Sequence, residues 1–364
     1  YVGGEKSTGI DHNKECFILM GLLKECGKSK NLYKGTRIHE MIVDKGLLGK
    51  NSYLARSLIS MYAKCGAIWK AYKVLEEVPD QDIICWSIVI SGYVKQGQGH
   101  EALKCFEEMV SGGSHPDAIT FTCVLKACGT IGAIDEGKRI HDEIVTRGFL
   151  EKDIVLGNAL IDMYVKCGKI GKAQEVLDDL PIRNIVSWSA LISGYADQGQ
   201  TYEAFSCFER MQKEGLTPDA ISFICILKAC GKVQALEKGK QIHDEIVRRD
   251  LLEKDIELGN ALVDMYVKCR VLSKARLVLE DLVLRNTISW NALISGYAQQ
   301  GQGHEALNCF EQMQSEGIAP DAVTFICTLK VCGEVGAIDK GKQIHTDTIS
   351  RGLLKKDVVL GNVL

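Results

Sequence analysis

The chain of 364 residues has only five prolines, and no apolar run approaches the roughly 20 residues that a membrane-spanning helix needs. Neither sign of charge dominates: 44 lysines and arginines stand against 47 aspartates and glutamates, a net −3. Bulk attraction to a polyanion is therefore weak, and any nucleic-acid binding has to come from local surfaces. The 36 glycines follow no G-X-Y period, and 46% of the residues are hydrophobic, which excludes collagen-like and disordered classes. The first thirty residues hold neither an Arg- and Ser-rich transit segment nor an apolar signal core. Catalytic signatures are missing as well: there is no G-x-S-x-G, no P-loop and no Rossmann fingerprint. No C-x-x-C occurs among the 15 cysteines, so no zinc ribbon or redox motif is supported. No enzyme active site, metal or cofactor is expected.

What is present is repetition. Lys126–Gly129 and Lys228–Gly231 both read KACG, 102 residues apart, with diverged copies at Lys24–Gly27 and Lys330–Gly333. His39, His141, His243 and His345 keep the same spacing, as do Trp86, Trp188 and Trp290. A period of 102 exceeds any single helical repeat unit and divides into three. Residues 154–184, 185–219 and 220–255 are 31, 35 and 36 long. Each has an apolar stripe, a glycine, a second stripe and a polar end.

The stripes have helical spacing. Trp188, Leu191, Ile192 and Tyr195 fall at i, i+3, i+4 and i+7, and so do Phe223, Ile226, Leu227 and Cys230. Second helices follow at Ala204, Cys207, Phe208 and Met211. Gly129, Gly168, Gly199 and Gly231 are expected to stop first helices in the left-handed conformation, with Arg270 replacing that glycine in one copy. Asp117, Asp219, Asp255 and Asp321 are expected to N-cap the following helix. A single hairpin cannot bury both of its stripes, so neighbours must stack. Ten full units run from residue 16 to 357, preceded by a loose leader, 1–15, and followed by the start of another unit, 358–364.

The cysteines and histidines obey the repeat too. Cys26, Cys128, Cys230 and Cys332 are one recurring position, which favours packing of a small apolar thiol over metal binding. His141-Asp142-Glu143 and His243-Asp244-Glu245 match the H-x-E half of a zinc deaminase signature, but the P-C-x-x-C half is absent. They are read as surface and packing chemistry on a second helix.

Three segments carry a family resemblance: NALIDMYVKCG at 158–168, SWNALISGYAQQGQGHEALNCFEQMQSEGIAPD at 289–321, and FICILKACG with GKQIHDEIV within 223–247. They resemble the pentatricopeptide repeat family, and within it the plant PLS subfamily, in which long (L), short (S) and standard (P) motifs alternate. The order is L 16–51, S 52–82, P 83–117, L 118–153, S 154–184, P 185–219, L 220–255, S 256–286, P 287–321 and L 322–357. The resemblance implies an all-α fold, a right-handed α-solenoid of stacked helix-turn-helix hairpins. It also implies binding of single-stranded RNA, about one base per unit, 5′ to 3′ along the chain.

In that family the fifth and last residues of a motif contact the base edge. The matching pairs here are Ser87/Asp117, Thr122/Asp153, Asn158/Asn184, Ser189/Asp219, Asn260/Asn286 and Asn291/Asp321. By analogy they read G, G, C/U, G, then C/U and U after one unread unit. Short polar side chains at position five suit the task, since they separate donor from acceptor edges. Met20, Ile224 and Ile326 at position five of L units cannot hydrogen-bond a base, and Arg56/Asp82 departs from the code. The family's second position packs on bases; here it is Ile84, Ile119, Val155, Val186, Ile221, Ile288 and Val323, with Glu257 breaking the row. Packing at the start of the helix is the alternative reading of these residues. Candidate phosphate contacts are Lys126, Lys228 and Lys330, with Lys64, Lys166 and Lys268 in S units; solubility explains surface lysines equally well.

The resemblance further implies the site-recognition part of an organellar C-to-U RNA editing factor, in chloroplast or mitochondrion. A deaminase or other editing-complex protein would act in trans. The rival reading is a protein-binding helical solenoid, although the W-x-x-L-G signature of tetratricopeptide repeats is absent.

Overall fold

The computed structural model describes residues 7–49, 51–79, 81–253 and 255–351. Among these every regular element is a helix, twenty in all. They fall into two compact units, residues 1–183 and 184–364. The segment 358–364, expected to begin a further motif, lies outside the described residues.

In the first unit the odd-numbered helices are α1 (Ser7–Ser29), α3 (Ser52–Lys64), α5 (Ile83–Lys95), α7 (Ala118–Ile131) and α9 (Ile154–Lys166). Their hairpin partners are α2 (Leu32–Asp44), α4 (Ile68–Glu77), α6 (Gly99–Ser111), α8 (Ile134–Thr146) and α10 (Ile170–Asp179). The second unit repeats the plan. Its first helices are α11 (Ile185–Asp197), α13 (Ala220–Val233), α15 (Ile256–Lys268), α17 (Thr287–Gln299) and α19 (Ala322–Val335). Their partners are α12 (Thr201–Lys213), α14 (Leu236–Arg248), α16 (Leu272–Asp281), α18 (Gly303–Ser315) and α20 (Ile338–Ser350). Within each unit consecutive first helices pack on one another, and each second helix except α10 and α20 is wedged between its own first helix and the next one. The first helices thus form one continuous layer per unit.

The stripes drive this stacking. Trp188, Leu191, Ile192, Phe223, Ile226 and Leu227 are all fully buried. Truncating such residues to alanine costs about 2–5 kcal/mol each. The alternation of lengths has a local cause. In the 31-residue units the second helices α4, α10 and α16 have 10 residues, against 13 in the other hairpins. They end in extended backbone at Val78, Leu180 and Leu282 (ψ 126–127°). Pro79 and Pro181 follow the first two, and proline pushes the residue before it out of the helical region.

Two expectations need correction. The helix stops assigned to Gly129 and Gly231 lie three residues later: α7 ends at the left-handed Gly132 and α13 at the left-handed Gln234. Gly129 instead serves a close helix approach, because a Cβ there would stand 3.3 Å from the Met163 Cα and 3.2 Å from the Lys166 side chain. Gly168 and Gly199 do hold the left-handed stops, and Arg270 adopts φ +61° where its sister units have glycine. The leader is not loose from Ser7 onward, where α1 begins. No proline interrupts the run from there to Ser29.

Candidate nucleic-acid interface

The layer of first helices displays the residues singled out from the sequence. Helix N-termini come first. Asp82, Asp117, Asp153, Asp219 and Asp321 each cap the next first helix through the side chain. Asn184 and Asn286 do so in reciprocal capping boxes with Ser187 and Ser289. The residue two positions after each cap lies on the first turn of the helix. Ile84, Ile119, Val155, Val186, Ile221, Ile288 and Val323 are between 43% (Ile84) and 65% (Ile119) exposed. Burial at the start of the helix therefore does not account for them. Phe17 and Tyr53, at 75% and 64% exposed, extend the same row into the first two units.

The fifth and last residues are joined by a third group that the sequence reading missed. Ser87 Oγ shares a hydrogen bond with Thr120 Oγ1 at 2.8 Å, and Thr120 Oγ1 donates to Asp117 Oδ1 at 2.7 Å. Ser189 and Ser222 pair at 2.8 Å, and Ser222 donates to Asp219 Oδ1 at 2.7 Å. Asn291 Nδ2 donates directly to Asp321 Oδ1 at 2.9 Å, and Thr324 Oγ1 contacts Asn291 Oδ1 at 2.6 Å. Thr120, Ser222 and Thr324 are fully buried and obey the 102-residue spacing, which was the signal available. The cap bonds of Asp117, Asp219 and Asp321 fall on Oδ1. One carboxylate can thus cap a helix and still offer its other oxygen outward. Burial pushes the Asp321 carboxyl up, but bonds from the Thr324 backbone, the Asn291 amide and the Thr324 hydroxyl outweigh it and hold the pKa below the ordinary 3.8.

Other pairs differ. Ser87 and Ser189 are more recessed than a groove-facing position suggests, each below 10% exposed. The Thr122 hydroxyl bonds back to Ala118 O at 2.8 Å, while Asp153 caps α9 through Val155 and Leu156. Position three of that next unit is Leu156, so no hydroxyl bridges the two. Asn260 is half-buried, and its Oδ1 is enclosed without a hydrogen-bond partner. Asn158 is half-buried on α9.

In the first unit a cavity of 680 Å³ brings several of these groups together: Ile84 and Ile119, Ser87 and Asp117, with Lys64 and Lys95 on its wall. The six candidate lysines are all exposed. Lys166 and Lys268 are engaged by Asp162 and Asp264 at 2.7 and 2.6 Å, an i, i+4 arrangement along the helix. Lys64, Lys126, Lys228 and Lys330 make no ion pair among the described residues.

Away from this face, His39, His141 and His243 each set Nδ1 2.9 Å from the hydroxyl of Tyr62, Tyr164 and Tyr266. The rings meet edge to face at 5.6 Å. Burial lowers all three histidine pKa values. The thiols of Cys128 and Cys230 are buried, which raises each to about 12. These groups pack hairpins together.

The model of the PPR repeat family matches residues 81–130, 183–232 and 285–334, and a second PPR repeat model matches 56–83, 119–149 and 158–185. A pentatricopeptide repeat-containing protein of Arabidopsis thaliana is 35% identical, over 93% of this chain and 46% of its own length. A mitochondrial and a chloroplastic protein of that name from the same plant are 33% and 34% identical. They match over 94% and 90% of this chain, and over 61% of their own lengths. The chain thus spans about half the length of the curated relatives it matches. Among solved structures, the maize pentatricopeptide repeat protein PPR10 superposes with a TM-score of 0.69 at 17% identity, over 91% of this chain and 47% of that one. PPR10 in complex with an 18-nucleotide psaJ RNA element gives 0.68 at 18% identity, over 85% and 47%. The fold is therefore that of a pentatricopeptide repeat solenoid.

Proposed function

The chain belongs to the pentatricopeptide repeat family, and from that premise we propose that it is a sequence-reading adaptor for single-stranded RNA. One observation carries the reading: a polar cluster built from position five, a buried hydroxyl and a capping carboxylate, recurring beside exposed apolar residues. Such a cluster offers donors and acceptors to a base edge, and the flanking Ile and Val bodies offer faces on which a base can lie. The base-reading pairs are those of 83–117 to 287–321, led by Ser87/Asp117, Ser189/Asp219 and Asn291/Asp321. Lys64, Lys126, Lys228 and Lys330, which make no ion pair among the described residues, are the candidate contacts for phosphates. PPR10, of the same fold, has been captured on RNA, which supports the class of ligand.

We place the chain in the PLS subfamily on its alternating unit lengths, and assign it site recognition for organellar C-to-U editing. Several relatives are named mitochondrial or chloroplastic. The chemistry would be supplied by a deaminase or another editing-complex protein. The test is fluorescence anisotropy of the full chain with RNA carrying G-G-Y-G-N-Y-U, against a scrambled RNA and the DNA equivalent, at two salt concentrations. Preference for the coded RNA supports the adaptor. Equal affinity for all three overturns it in favour of a protein-binding solenoid.

A further inference from the structure

One polar pair on the layer of first helices is neither hydroxyl nor amide. Arg56 occupies on α3 the position that Ser87 and Asn291 hold on α5 and α17. Its Nη2 donates to Asp82 Oδ2, while Asp82 Oδ1 accepts from the Cys85 backbone at 2.8 Å and caps α5. The guanidinium also lies 5.3 Å from the Tyr53 ring centroid. The Nε of Arg56 is buried and has no hydrogen-bond partner. Beside it opens a cavity of 490 Å³, lined by Phe17, Met20 and Leu23 with Lys24 and Lys64. An exposed aromatic ring, an apolar floor, flanking cations and a fixed donor–acceptor pair stand together.

Base-edge chemistry narrows what fits. Guanidinium donors seek a keto oxygen, and the adjacent carboxylate seeks N–H groups. Guanine presents O6 beside N1–H and N2–H, so it answers both partners and engages the carboxylate with two donors. Uracil offers O4 and a single N3–H. Adenine and cytosine place an acceptor nitrogen where the carboxylate needs a donor, and an amino group where the guanidinium needs an acceptor. We propose that Arg56 and Asp82 form a guanine-selective reading site in unit 52–82, with the base lying in the cavity lined by Phe17. The proposal rests on the RNA-binding reading above. It assigns a base to a unit that the fifth-and-last-residue rule leaves unread.

The test uses the full chain and four RNAs of the form N-G-G-Y-G-N-Y-U that differ only in the first nucleotide. Guanine should bind about tenfold or more tighter than adenine or cytosine, the scale of a good paired contact to a base edge, with uracil between. Arg56→Asn, which installs the pair found at Asn291/Asp321, should abolish the guanine preference. Asp82→Asn keeps a capping oxygen and should weaken discrimination between guanine and adenine, with the circular dichroism of both variants unchanged. Equal affinity for the four RNAs while the coded remainder still outcompetes its scramble would overturn this site alone. A guanine preference that survives Arg56→Asn would also overturn it. Failure to bind any RNA would remove the broader reading and this one with it.

Discussion

Replacing Asp321 separates the two tasks its carboxylate is asked to perform. It caps α19, accepting from Thr324 N and Oγ1 at 2.9 Å, and it also accepts from Asn291 Nδ2 at 2.9 Å. Asp321→Ala removes the cap, which costs about 1 kcal/mol and lowers Tm by about 2–4 °C for a unit of this size. Asp321→Asn retains a capping oxygen, and Asn184 and Asn286 already cap sister helices in this chain. Its stability should therefore stay within a few tenths of a kcal/mol. Base reading responds differently. A carboxylate accepting the N3–H of uracil makes a charge-assisted bond, about twice as strong as a neutral one, so Asp321→Asn should lose roughly fivefold in preference for U over C at the last coded nucleotide. Thermal unfolding by circular dichroism and anisotropy with RNAs ending in U or C measure the two effects. The pH adds a check. The folded pKa lies below the ordinary 3.8, so the contribution is complete above 3.8 and is lost as pH falls through the lowered value. The wild-type advantage over Asp321→Ala should shrink there. Unchanged U-over-C preference in Asp321→Asn would mean that the residue only caps, and an Asp321→Ala variant as stable as wild type would refute the cap argument.

Three further outcomes are expected. Arg270 sits at φ +61° where Gly66 and Gly168 stand in sister units, so Arg270→Gly should raise stability by about 1 kcal/mol, and a denaturant midpoint that falls instead would refute this. His39, His141 and His243 have pKa values lowered by burial from 6.5. The unfolded chain then binds more protons below pH 6.5, stability falls as the solution is acidified, and a His141→Gln/His243→Gln double variant should show a flatter Tm profile between pH 7 and 5. Lys126, Lys228 and Lys330 each contribute to phosphate binding if RNA lies along this face. Replacing one by alanine should then reduce the slope of log K against log salt by about 0.7, whereas Lys166→Ala, whose charge Asp162 already meets, should change it less.

Much of the fold was legible because periodicity reports burial directly. The stripe at Trp188, Leu191 and Ile192 is the buried one, and the aspartates before each stripe are the caps. Helix ends were less legible. A glycine needed for close approach, such as Gly129, reads the same in sequence as one needed for a turn, and Gln234 turns the chain where no glycine marks it. Within the site, the exposed row at position two was visible only as apolar residues, whose side chains could face either way until exposure was known. The buried hydroxyls of Thr120, Ser222 and Thr324 escaped notice because Ser and Thr three residues after a cap are ordinary helix-start residues. Their second role depends on a side chain 33 residues earlier in the chain.

That link across a junction bears on how such a chain can be rearranged. Ser87 depends on Thr120, and Ser189 on Ser222, so swapping a single hairpin on either side of such a junction replaces one half of the contact. The smallest cassette that recombination or protein engineering can move while preserving its internal junctions is a longer block, and the 102-residue period supplies one. Duplication by whole blocks conserves the wiring between neighbours, whereas shuffling a single hairpin has to rebuild it at the junction it breaks.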